Sequence, residues 1–78
     1  MVRNDGAEAR RERMEKIARS IYAKFEKGEK ILLSVAVAEF QYQFGLSETK
    51  ILEYLNILQK LGKIALDGKN DLITNPRV

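Results

Sequence analysis

Apolar residues recur along the first third of the chain at three- and four-residue steps. Met14, Ile17, Ala18, Ile21, Tyr22 and Phe25 lie within one arc of a helical wheel, which predicts an amphipathic helix. Gly28 is placed to end it, because glycine takes the left-handed backbone past a helix C-terminus without steric penalty. Arg11/Glu15, Glu12/Lys16 and Glu15/Arg19 are opposite charges four residues apart and support the exposed side. Residues 1–6, "MVRNDG", are polar and are expected to fray, as are residues 76–78 around Pro76. The span 7–75 between them is expected to form one domain.

"KILLSV" is a short apolar run and reads as one brief strand, after which Ser34 suits a helix N-cap. The next segment, "VAVAEFQYQF", fits two patterns. Phe40, Tyr42 and Phe44 alternate as in a strand, whereas Val37, Phe40 and Phe44 share a helical face. The Ser34 cap, the terminal Gly45 and the alanine and glutamate positions favour the helix. Ser47 caps a further helix whose Ile51, Leu52, Tyr54, Leu55, Leu58 and Leu61 cover about half its circumference, the pattern of a central helix. Gly62 stops it, and "KIALDGKNDLIT" reads as two short strands joined by a turn.

Composition narrows the chemistry. The 78 residues are 45% hydrophobic and 32% charged, in the range of globular domains. No apolar run approaches the ~18 residues of a membrane-spanning helix, and the arginine-rich start lacks the apolar core of a secretion signal, so a cytoplasmic protein is expected. With no cysteine and no histidine, disulfides, thiolate or Cys/His zinc sites and imidazole catalysis are excluded. The carboxylates fall on charged, wet faces, and no phosphate-cradling glycine loop or nucleophile motif occurs. No enzyme, cofactor or small-molecule ligand is expected. The net charge is +3, and residues 1–30 carry nine Lys/Arg against six Asp/Glu while residues 31–78 carry five against five. The basic excess therefore belongs to the first helix and its approach.

The order helix, short strand, helix, tight turn, helix, hairpin resembles the winged helix-turn-helix domains of archaeal and bacterial DNA-binding proteins. The likeness is carried by "AEFQYQFGLSETKILEYLNILQKLGKIALDG", through Glu39, Phe40, Gly45, Leu46, Ser47, Ile51, Leu55, Leu58, Gly62, Ile64 and Asp67-Gly68, and it covers about residues 31–74. Gly45 lets the chain leave one helix with positive φ, Leu46 can plug the gap between helices, and Ser47 starts the next. One position departs from the pattern: Gln41 stands where such domains place alanine at a close helix crossing. Either the crossing is more open or the glutamine lies across it with its amide in water. The implied fold is mainly α with a small β-hairpin: helix, strand, helix, helix, strand, wing, strand.

The resemblance implies a reader of double-stranded DNA, a transcriptional regulator or DNA-associated factor lying on the nucleoid. Its third helix would enter the major groove, led by Ser47, Thr49 and Lys50 and followed by Glu53, Asn56, Lys60 and Lys63. Asn56 can pair with adenine, Glu53 can accept from cytosine and the lysines can meet phosphates. Lys69 and Asn70 would be the wing's contacts, although two aspartates flank that lysine. The charge between residues 48 and 63 is weakly supportive, with three lysines against two glutamates. Ile57 alone among the apolar residues of this helix points to the exposed arc, as a thymine contact, a partner contact or a tolerated surface aliphatic.

In the first helix Arg13, Lys16, Lys24 and Lys27 line one side of the apolar stripe, while Glu8, Glu12, Glu15 and Glu26 gather toward the other. Three uses fit this segregation: a homodimer through helix 1 with Ile17 and Ile21 in its seam, a phosphate-tracking edge, or a solvated face on an internally packed helix. Arg10 and Arg11 continue the stripe beyond Met14 as a basic stub. A reading of a different class is a winged-helix module that docks another protein and has no specific affinity for DNA.

Overall fold

The structure, a computed structural model, describes residues 6–77. It is mainly helical with a small antiparallel sheet: α1 (Ala7–Glu26), β1 (Ile31–Leu32), α2 (Leu33–Phe44), α3 (Glu48–Lys60), β2 (Ala65–Asp67) and β3 (Leu72–Thr74). Of the two ends expected to be loose, residues 1–5 and 78 lie outside the described residues. Gly6 is the N-cap of α1, and Arg77 donates its N–H to Asn75 Oδ1 at 3.0 Å.

The twenty residues of α1 span about 30 Å at 1.5 Å per residue, and only Ile17 and Ile21, both in its second half, are fully enclosed. The first turns therefore extend past the core, and the molecule measures 45 × 22 × 21 Å. The "VAVAEFQYQF" segment is helical throughout. Phe40 and Phe44, one turn apart, bring their ring centroids to 6.3 Å, while Tyr42 stands on the far side, 93% exposed. Gln41 at the helix crossing is half-buried. Gly45, at φ 68, donates its N–H to the Gln41 carbonyl and turns the chain into α3.

The start of α2 differs from expectation. Ser34 is not the N-cap; it lies inside the first turn, and Asp71 caps the helix from the far end of the chain. The Ser34 N–H donates to Asp71 Oδ1 at 2.8 Å, the Ser34 hydroxyl donates to Oδ2 at 2.6 Å, and the Leu33 N–H donates to the Asp71 carbonyl at 2.8 Å. The sheet makes this bridge. β3 is its central strand in the order β1-β3-β2, with Ile31 opposite Ile73 and Leu32 opposite Leu72, so the residue preceding β3 arrives where α2 begins. Asp71 reaches that place with φ 56, a left-handed conformation that aspartate tolerates better than most side chains.

One core lies beneath these elements. α3 contributes Ile51, Tyr54, Leu55 and Leu58, α2 contributes Ala36, Val37 and Phe40, and α1 contributes Ile17 and Ile21, with Ile31, Ile64 and Ile73 from the strands and their approaches. Leu61 does not join them. It occupies the C-cap of α3 and is 62% exposed, because the chain reverses at Gly62, where the Lys63 N–H returns to the Leu58 carbonyl at 3.0 Å, and Ile64 takes the buried place instead. Met14, Ala18 and Phe25, from the expected stripe, pack half-buried around the rim.

Two stability outcomes follow. Asp71→Gly, which keeps the positive φ but removes the carboxylate, is expected to destabilise the protein by roughly 1 kcal/mol in denaturant unfolding and to speed amide exchange at Ser34; unchanged exchange would rule out the cap. Ile17→Ala is expected to destabilise the isolated chain by about 2–5 kcal/mol, as for a core truncation. A residue of an intermolecular seam would leave a diluted monomer untouched.

Candidate functional site

α3 carries the expected reading surface, and its two sides are chemically opposite. Ser47, with extended backbone, accepts the Lys50 N–H on Oγ at 3.2 Å and so satisfies one of the helix's unpaired N-terminal donors. Opposite the buried Ile51, Tyr54, Leu55 and Leu58 runs an exposed row of Thr49, Glu53, Asn56 and Lys60, spaced at four, three and four residues. Its flanks are anchored. Gln59 Oε1 accepts the Leu66 N–H at 2.7 Å, tying β2 to one side of the helix. On the side facing α1, the Tyr22 hydroxyl donates to the Lys63 carbonyl.

The expected contacts divide when their partners are traced. Lys50 Nζ pairs with Glu53 Oε1 at 3.2 Å, so each offsets the other's charge on the exposed row. Such exposed pairs contribute about 0–1 kcal/mol and open readily. The ammonium groups of Lys60, Lys63 and Lys69 have no hydrogen bond or ion pair among the described residues, and all three are exposed. Asn70 is engaged at the hairpin tip: its side-chain amide donates to Asp67 Oδ2 at 2.8 Å and its backbone N–H to Oδ1 at 3.1 Å. These donors, the Asn70 side chain first, hold the Asp67 carboxyl below its ordinary value. The tip thus presents Lys69, and Asn70 is a turn former.

The expected dimer or phosphate contacts on α1 are corrected in two places, at Ile17 and Ile21. Ile17 and Ile21 are 0% and 1% exposed inside the chain's own core, so they form no seam with a second copy. Arg13 donates to the hydroxyl of the buried Tyr54 at 2.9 Å, and Lys24 pairs with Glu39 of α2 at 3.3 Å, so these two half-buried side chains of the edge have partners on α3 and α2. Arg10, Arg11 and Lys16 remain exposed. Of the three expected charge pairs along α1, Glu15–Arg19 closes at 3.9 Å.

Sequence reasoning missed Asp71, Gln59 and the Arg13–Tyr54 pair. Asp71 carries a signal in that aspartate is a strong capping residue, but the Ser34 that it caps stands 37 residues earlier in the chain. Among the described residues no group of three or more His, Cys, Asp or Glu is arranged to hold a metal ion, and no helix is long and apolar enough to cross a membrane. Comparison with protein-family models, curated proteins and solved structures found no match for this chain.

The hairpin tip gives a titration with a defined sign. A carboxyl whose folded value is depressed adds stability that is present above its unfolded value and is lost as pH falls through the folded one. Acidification below the ordinary carboxylate value of 3.8 is therefore expected to release the Asn70 amide from Asp67. Asn70→Ala is expected to move the Asp67 carboxyl carbon titration, followed by NMR, back up toward that value. A curve that does not move would assign the shift to another group.

Proposed function

We propose that this protein is a small winged-helix DNA-binding protein, a transcriptional regulator or DNA-associated factor, that reads duplex DNA with α3 and uses the β2–β3 hairpin as its wing. The observation that carries the reading is the continuous exposed row Thr49, Glu53, Asn56 and Lys60 on a helix whose opposite side is entirely buried. A helix held from behind and bare in front is what a major groove about 12 Å wide admits. Its capped N-terminus presents Thr49 and Lys50 first, at the end from which such helices approach bases.

Unpaired cations on this side support the reading. Lys60, Lys63 and Lys69 are unpaired cations among the described residues. The acidic residues near them are engaged elsewhere: Glu53 with Lys50, Asp67 with Asn70 and Asp71 with the N-terminus of α2. The aspartates that flank Lys69 in sequence thus turn their oxygens toward internal donors. Glu48, in the first turn of α3, sits where the helix dipole favours an anion. In this reading the lysines bind phosphate and fix the register, while Thr49 and Asn56 discriminate bases.

Fluorescence anisotropy on a panel of duplexes tests the proposal. Affinity is expected to fall with a log–log salt slope of roughly −3 to −4, since about 0.9 counterion is released per phosphate contact. Asn56→Ala should reduce discrimination between the preferred duplex and its variants by about 1–3 kcal/mol. Lys69→Ala should weaken all duplexes alike and flatten the slope by about one. If Thr49→Ala and Asn56→Ala both left the preferred sequence unchanged, α3 would not be the reader. Weak binding without sequence preference would instead favour a protein-docking module.

A further inference from the structure

A carboxylate stands in the middle of the exposed side of α3, where a polyanion is a poor neighbour for it. Glu53 shares its face of the helix with Thr49, Asn56 and Lys60, opposite the buried Ile51, Tyr54, Leu55 and Leu58. Among the described residues its one partner is Lys50, whose Nζ donates to Oε1 at 3.2 Å. A duplex that meets this row cannot avoid Glu53. The carboxylate only accepts hydrogen bonds, so phosphate offers it nothing and a base must supply a donor. Two bases carry one in the major groove: cytosine at N4 and adenine at N6.

The ion pair chooses between them. Cytosine offers its N4 donor alone, and the paired guanine sets its O6 and N7 acceptors beside it. N4 and O6 are themselves partners in an N–H···O bond, about 2.9 Å apart. That spacing is close to the 3.2 Å between Lys50 Nζ and Glu53 Oε1, and the signs are complementary. A carboxylate that accepts the free N4 hydrogen therefore leaves the ammonium over guanine, and the charge pair stays closed while both bonds form. Adenine fits less well. Its N6 donor lies between its own N7 and thymine O4, so a carboxylate there meets an acceptor on either side, and the thymine methyl crowds the lysine.

We propose that Lys50 and Glu53 act as one reading unit for a C·G pair, Glu53 accepting from cytosine N4 and Lys50 donating to O6 or N7 of the paired guanine. The inference rests on α3 being the DNA-reading helix. It makes the acidic residue of the row a determinant of specificity. It also separates Lys50 from Lys60, Lys63 and Lys69, which have no partner among the described residues and are free to follow phosphates.

Fluorescence anisotropy tests the pairing with a duplex selected from a random pool by the wild-type protein and with its single-base-pair substitutions. The variants are Glu53→Ala, Lys50→Ala and Lys69→Ala. All three side chains are exposed, so helical circular dichroism should be unchanged. A base analogue isolates the contact: in N4-methylcytosine a methyl replaces the hydrogen that faces the groove. At one position the wild type is expected to favour C·G over the other pairs by about 10-fold, the scale of a good base contact, and N4-methylcytosine there should cost about as much. Glu53→Ala should lose the preference at that position and become indifferent to the methyl group. Lys50→Ala should reduce the same preference, whereas Lys69→Ala should weaken all duplexes and keep it. A selection that yields no preferred sequence would sink α3 as the reader and this inference with it. A sequence preference that Glu53→Ala leaves intact, methyl effect included, would overturn the pairing alone. So would a preferred site without a C·G requirement, or one whose Glu53-dependent position is A·T.

Discussion

Burial of one side of α3 is the constraint from which the remaining geometry follows. Ile51, Tyr54, Leu55 and Leu58 range from 0% to 3% exposure, and α1, α2 and the strands contribute the side chains that enclose them. At about 1.5–3 kcal/mol for each such side chain moved out of water, no other element contributes as much to the core. The same burial fixes the rotation of the helix about its axis. With that side committed, Thr49, Glu53, Asn56 and Lys60 have nowhere to point but outward. Tyr54 also needs a partner for its hydroxyl, and Arg13 supplies one at 2.9 Å, drawing α1 onto the helix it supports.

Asp71 adds a second tie of a different kind. A three-residue strand and a two-residue strand are marginal by themselves, yet Asp71 joins the hairpin to the N-terminus of α2 through both carboxylate oxygens and its carbonyl. The hairpin is thereby held against the helical layer, with Gln59 holding its other strand to α3. Lys69 projects from a turn whose base is clamped on both sides. In the proposed reading this matters for recognition, because a contact on a fixed turn loses less conformational freedom on binding than one on a loose loop.

How much of this was legible in the chain depends on the distance over which each interaction acts. The helices were readable because their signals are local: the stripe from Met14 to Phe25, the cap at Ser47 and the glycines at 28, 45 and 62. The period that separates the buried side of α3 from its exposed row is equally local. The wheel of α1 gave the correct apolar stripe but not its cover. Ile17 and Ile21 could lie against α3 or against a second copy, and only the tertiary arrangement decides for the core. Arg13 and Lys24 looked free for the same reason, since their partners Tyr54 and Glu39 lie 41 and 15 residues away. Ser34 was a reasonable cap from its neighbours, and it lost that place to a residue brought in by strand pairing. Leu61 kept the helical period but fell in the turn where the helix ends.

In the proposed reading the exposed row of α3, together with Lys69, is the surface that enters DNA. Amide chemical-shift perturbation of the labelled protein by duplex DNA at two ionic strengths tests it most directly. Shifts concentrated at Thr49, Lys50, Asn56, Lys60 and Lys69 that shrink as salt rises are expected. Shifts confined to α1 or to the outer face of α2, or none at low salt, would contradict it.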